Sequence, residues 1–252
     1  MDERSRSIRS IETMFDVVTV LVENDGAGVT EVATELDLAK STVHQQLSTL
    51  RELGYAVVED GEYHPGLRFL EIGEHTRERK RMHVLAEPLV EQLADETAER
   101  AQFFVKEHGR AIYLYTKEGE RAVKVNRRPG KVRYLHSSAG GKAILSGMSR
   151  EDVEAVIERW GLPAETEKTI TDDAALFEEL DRISERGFAT NKEESITGLW
   201  ALGVPVTVDG EAVAAFSVSG PRYRLEGDWF TEELPGLLRG TANELELKLE
   251  YS

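Results

Sequence analysis

"KSTVHQQLSTLRELGYAVVEDGEYHPG", residues 40–66, decides how the start of this chain folds. Val43, Leu47, Leu50 and Leu53 recur at the spacing of one helix face, which predicts a helix over Ser41–Leu53, ended by Gly54. Two short runs, Tyr55–Val58 and Glu62–His64, flank Asp60-Gly61, a strong hairpin signal. From Ser41 to Leu50 there is no Asp, Glu, Lys or Arg, although the chain of 252 residues has a formal net charge of −16.

Upstream, Ile8–Asn24 is amphipathic, with Ile8, Ile11, Phe15, Val18, Leu21 and Val22 at helical spacing, and "NDGAG" breaks it. Val29–Leu36 reads as a short second helix with Thr30 as its N-cap. Helix, helix, turn, helix and hairpin make a winged helix-turn-helix over 1–66. The third helix must bury its apolar face on the other two. Ser41, Thr42, His44, Gln45, Ser48 and Thr49 then point outward, as uncharged donors and acceptors able to read base edges in a major groove. A merely solvated polar face is the plainer alternative. It is disfavoured because the other exposed helices are rich in carboxylates.

Charge sets a tension. Residues 1–81 hold 10 Lys and Arg against 16 Asp and Glu, a net of −6; the remainder holds 21 against 31, a net of −10. Arg4, Arg6, Arg9, Lys40 and Arg51 nevertheless gather on the side expected to face DNA phosphates. Such a face gains less from counterion release, which suits a protein working in concentrated salt. A salt-loving host is expected, with an ordinary acidic protein as the alternative.

No run approaches the roughly 18 apolar residues of a membrane span, and Glu12 and Asp16 interrupt any export signal. A cytoplasmic protein without membrane contact is expected. The absence of cysteine excludes disulfides, thiolate catalysis and Cys-ligated zinc. No metal or cofactor is expected.

Residues 67–81 read as a charged helical linker and 82–252 as a mixed α/β domain. Strands are predicted at "AQFFVKE", "AIYLYTKE", "AVKV", "ALGVPVTV" and "AVAAFSVS", with turns at His108-Gly109 and Asp209-Gly210. Helices are predicted at "SSAGGKAILSG", "SREDVEAVIERWG", "DDAALFEELDRISERG" and roughly residues 231–249. The fold class is α+β. In "LHSSAGGKAILSGMS" the small residues admit either a ligand near a helix start or close helix packing. It is not a P-loop, because His136 stands where the first Gly belongs and Ala143 replaces Ser/Thr. No catalytic motif appears, and adjacent Glu193 and Glu194 on a strand would point apart, so the chain is not expected to be an enzyme. His75 and His83 are expected on the surface. A ligand-binding protein or small-acid enzyme without DNA function is the rival reading.

The stretch Glu31-Val32-Ala33, Lys40-Ser41-Thr42-Val43-His44, Leu47, Leu50, Gly54, Tyr55, Tyr63 and Gly66 resembles the amino-terminal domain of the IclR family of prokaryotic transcription regulators. His136, Ser138, Ala139, Gly141, Lys142 and Ala143 match its second signature. Gly187, Phe188, Glu193, Glu194, Gly198 and the Ser217–Pro221 run extend the resemblance over nearly the whole chain. The resemblance implies a GAF-like effector-binding domain, a homodimer or tetramer, a pseudo-palindromic double-stranded DNA operator, and a small anionic metabolite. It implies effector contacts at Ala139, Gly140, Asn191, Ala201, Ser217 and Ser219. Members commonly place Arg where this chain has Gln45, Asp where it has Asn191, and a more polar residue where it has Ala201.

Overall fold

A computed structural model describes residues 8–123 and 128–251. The chain divides into two compact units, Met1–Arg79 and Lys80–Ser252.

The first unit runs α1 (Arg9–Glu23), α2 (Val29–Glu35), α3 (Lys40–Glu52), β1 (Ala56–Glu59), β2 (Glu62–Pro65) and α4 (Arg68–Glu78). Val17, Val20 and Leu21 of α1, Val32 of α2, and Val43, Leu47 and Leu50 of α3 form its core. This is the predicted winged helix-turn-helix. Two details differ. Leu53, expected on the buried face, is 52% exposed, because α3 has already ended at Glu52. Thr30 is not a cap. Gly28 holds that place, and its carbonyl already accepts the Val32 amide.

The second unit begins with α5 (Arg81–Thr97), then β3 (Arg100–Glu107), β4 (Arg110–Glu118) and β5 (Val132–Arg133). Next come α6 (Ala139–Ser146), α7 (Arg150–Trp160) and α8 (Asp173–Arg186). The chain returns to the sheet as β6 (Ala189–Lys192), β7 (Leu199–Val208) and β8 (Glu211–Pro221), and ends in α9 (Leu234–Glu250). The six strands are ordered β5-β4-β3-β8-β7-β6, each pair antiparallel. Helices α5 and α9 cover one face around Phe103, Phe216, Val218 and Leu202. Helices α6, α7 and α8 cover the other around Phe104, Tyr113, Ala189 and Ala215. This is a GAF-like α/β layer arrangement.

The three predicted hairpin turns have both central residues at positive φ: Asp60 and Gly61 at 49° and 91°, His108 and Gly109 at 51° and 75°, Asp209 and Gly210 at 53° and 84°. That is the turn whose twist matches the flanking strands. Of the "AVKV" strand, Ala122 and Val123 are in no strand, and the rest lies outside the described residues. Glu193 and Glu194 are not on a strand but in the bend after β6, with Glu193 at φ 73°. His83 is buried, on the inner face of α5.

Candidate DNA-reading face and buried polar row

On α3, Val43, Leu47 and Leu50 point inward and leave Ser41, Thr42, His44, Gln45 and Thr49 exposed, with Ser48 half-buried. Thr49 Oγ1 donates to Gln45 O at 2.9 Å, so that hydroxyl keeps only acceptor capacity. The Gln45 side-chain amide makes no hydrogen bond among the described residues, and so has two donors and an acceptor to spare. Lys40 and Arg51 are exposed at the two ends of α3, and Arg9 is exposed at the start of α1. Arg4 and Arg6 lie outside the described residues. The wing tip carries Glu59, Asp60 and Glu62, all exposed. This acidic tip went unweighed in the sequence.

In the second unit the sheet face beneath α6 carries polar groups in two adjacent cross-strand rows. One row is Asn191–Ala201–Ser219–Arg100–Glu118, the next Ala189–Gly203–Ser217–Gln102–Thr116. Partners across antiparallel strands share a face, so the expected alignment of Ser217 with Ser219 is present. Asn191, Ala201, Ser217 and Ser219 are all buried. Ser217 Oγ donates to Leu202 O at 2.8 Å, which commits its proton to the backbone. Ser219 Oγ accepts from Gln102 Nε2 at 3.0 Å, which leaves its proton free. Asn191 Nδ2 donates to Ser137 O (2.7 Å) and Ser195 Oγ (3.2 Å), and its Oδ1 accepts from the Glu194 amide (2.9 Å). Asn191 therefore holds the loop after β6 against the turn before α6.

The glycines at the start of α6 are explained by packing. A Cβ on Gly140 would meet the Phe104 ring at 2.4 Å, one on Gly141 would meet Leu135 O at 2.2 Å, and one on Gly203 would meet the Ala139 backbone at 2.7 Å. Helix and sheet thus approach backbone to backbone at Gly203. Ser138 caps the helix by accepting from the Gly141 amide at 3.1 Å.

Several further residues of this region were given no effector role from the sequence. Lys142 and Glu194 form an ion pair at 2.5 Å, with side chains 1% and 11% exposed, which ties α6 to the β6–β7 loop. Glu193, in that loop, pairs with Lys168 of the α7–α8 connection, and this pairing with the lysine holds the Glu193 carboxyl below its ordinary range. Arg100, Gln102 and Thr116 complete the two rows. The alternation in "RAQFFVKE" already puts Arg100, Gln102 and Phe104 on one side of a strand, which is the signal that could have found them. Next to this region His136 Nε2 donates to Pro163 O at 3.1 Å. Burial pushes the imidazole below its ordinary value, while Pro163 and Glu165 pull the other way.

The chain matches two family models: the IclR helix-turn-helix domain over residues 10–60, and the bacterial transcriptional regulator IclR C-terminal domain over residues 74–247. It is 33% identical over 250 residues to the probable HTH-type transcriptional regulator ArcR of Halobacterium salinarum, covering 97% of this chain and 95% of that one. The crystal structure of the Thermotoga maritima IclR superposes with a TM-score of 0.81 at 27% identity, covering 97% of this chain and all of the other. The fold alone is also shared with an IclR homolog from Microbacterium hydrocarbonoxydans complexed with 4-hydroxybenzoate, with a TM-score of 0.80 at 23% identity over 95% of this chain and 100% of that one. With both models matched in order and a relative aligned along nearly its whole length, the chain belongs to the IclR family of DNA-binding transcriptional regulators.

Proposed function

We propose that the protein is a sequence-specific regulator whose α3 reads an operator and whose second unit binds a small organic acid that changes DNA affinity. The reading face is Ser41, Thr42, His44, Gln45, Ser48 and Thr49, with Arg4, Arg6, Arg9, Lys40 and Arg51 on phosphates. The observation that carries this part is the exposed, charge-free face of α3 in a chain otherwise covered with carboxylates. Carboxylates there would meet phosphates and repel them. One helix-turn-helix reads a half-site, so a homodimer or tetramer on a pseudo-palindrome follows.

The acid binds between the start of α6 and strands β6–β8, at Ala139, Gly140, Asn191, Ala201, Ser217 and Ser219. Support comes from a row of buried polar side chains on a sheet face that is apolar further along. For the acid to act as a switch, it must bind the DNA-competent and incompetent arrangements unequally, and DNA must change its affinity reciprocally. The test is a thermal-shift screen of the full chain with gluconate, pyruvate and 4-hydroxybenzoate, followed by titration with and without operator DNA. A hit whose affinity DNA alters, and which Ser219→Ala weakens, is expected. Acid binding that DNA leaves untouched would remove the regulatory part.

A further inference from the structure

Two buried polar atoms in the rows beneath α6 have no hydrogen-bond partner among the described residues: Arg100 Nε and Thr116 Oγ1. Arg100 opens β3 and is 2% exposed. Its Nη2 donates to Glu118 Oε1 at 2.7 Å and to Val123 O at 2.6 Å, which fixes the guanidinium plane and leaves the Nε–H unmatched. Ser219 is its cross-strand neighbour on β8 and keeps a free hydroxyl proton. Thr116 lies one row away, opposite Gln102. All three groups can donate, and Nε can do nothing else. A ligand that satisfies them brings acceptors only. Charge points the same way. The guanidinium is buried, whereas its carboxylate partner Glu118 is 47% exposed and solvated, so the cation is incompletely compensated on the inner side.

We infer that Arg100 is a specificity-determining contact of the effector site. Its Nε–H donates to the ligand's carboxylate, with the neighbouring Ser219 hydroxyl as a further donor, and the site thereby takes acids in preference to their neutral amides. This rests on the effector reading above and adds an orientation to it. At about 4.8 Å per strand, Arg100 and Asn191 stand roughly 14 Å apart along their row. One carboxylate cannot serve both, so the charged head sits at the Arg100 end and the body of the ligand runs toward α6.

The experiment uses the full chain and three matched pairs: 4-hydroxybenzoate and 4-hydroxybenzamide, pyruvate and pyruvamide, gluconate and gluconamide. Affinities are measured by calorimetry at fixed salt and pH. The wild type should prefer at least one acid over its amide by roughly tenfold or more, the scale of a charge-assisted hydrogen bond. Arg100→Gln should bring that ratio close to one, and Arg100→Lys should keep part of it. A purely structural Arg100 would lower acid and amide binding alike and leave the ratio unmoved, and that result overturns the inference. Should Arg100→Gln fail to fold, Arg100→Lys and Ser219→Ala carry the test. Both should lower acid affinity more than amide affinity, and an unchanged ratio in both sinks the proposal. Acid binding with a ratio indifferent to Arg100 leaves the effector reading standing. If no acid of the panel binds, the effector reading and this inference fall together.

Discussion

The exposed face of α3 and the sheet face beneath α6 use similar side chains in opposite circumstances. On α3, Ser41, Thr42 and Gln45 are exposed, and the Gln45 amide is unengaged. Beneath α6, Asn191, Ser217 and Gln102 are buried, and each is tied to a named partner. The difference separates recognition from support. An exposed amide contributes nothing to the fold and can be spent entirely on a ligand. A buried amide must first be satisfied by the protein, because an unmatched buried polar group costs about 1–3 kcal/mol. Substitutions on the first face should therefore change binding with stability unmoved, and substitutions on the second should move stability first.

The largest effect expected is at the Lys142–Glu194 pair. Removing one partner leaves the other charge buried, so Lys142→Met should destabilise the second unit by about 3–5 kcal/mol. The double variant Lys142→Met with Glu194→Leu should recover much of that loss, since no lone charge remains. Trp160, Trp200 and Trp229 all lie in the second unit, so tryptophan fluorescence during urea unfolding of the full chain reports it directly. A single variant as stable as wild type would show that the pair is solvated and that this face is no better sealed than α3.

The contrast in partners explains what could be read from the sequence. The first unit is built from local signals: an apolar spacing of three and four on α3, a Gly after it, an Asp-Gly turn. Each acts within a few residues, and each was legible. In the second unit the long strands and amphipathic helices were legible for the same reason. The two-residue β5 and four-residue β6 were not, because neither is long enough to show a period. The glycines before Lys142 admitted two readings. The close packing that one of them names involves Gly203, which is about sixty residues away and meets Ala139 only once the sheet has formed. Lys142 and Glu194 are likewise joined by the fold alone. The alternation on β3 was visible, yet nothing local says that its Arg is buried.

A middle-sized effect should mark the other side of the contrast. Gln45→Ala should weaken binding to an operator selected from random duplexes by about 1–3 kcal/mol and relax preference at one position. Its unfolding free energy should stay within about 0.5 kcal/mol of wild type, as for surface changes generally. Lost stability with unchanged DNA preference would reverse the assignment of α3 as an unencumbered reading face.

The smallest effect is one of pH, and it belongs to the buried side. His136 is held neutral by burial, with its Nε2–H donated to the Pro163 carbonyl. The tautomer follows from the partner, because a carbonyl can only accept. A folded-state value below the ordinary 6.5 has a definite consequence. Well above about pH 6.5 the ring is neutral in both folded and unfolded chains, and His136 adds no pH dependence to stability. As pH falls below that value the unfolded chain takes up a proton that the folded one refuses. The unfolded state then binds more protons, and linkage requires stability to fall with falling pH. The loss starts at the unfolded value and continues until pH reaches the folded one. His136→Gln keeps an N–H for Pro163 and removes the titration. Melting temperatures of wild type and variant should therefore run parallel from pH 8 to about 7 and diverge below about 6.5, with the variant losing less. Parallel curves through the whole range would mean that the imidazole charges as readily in the fold as in water, and that this corner of the second unit is as open as the face of α3.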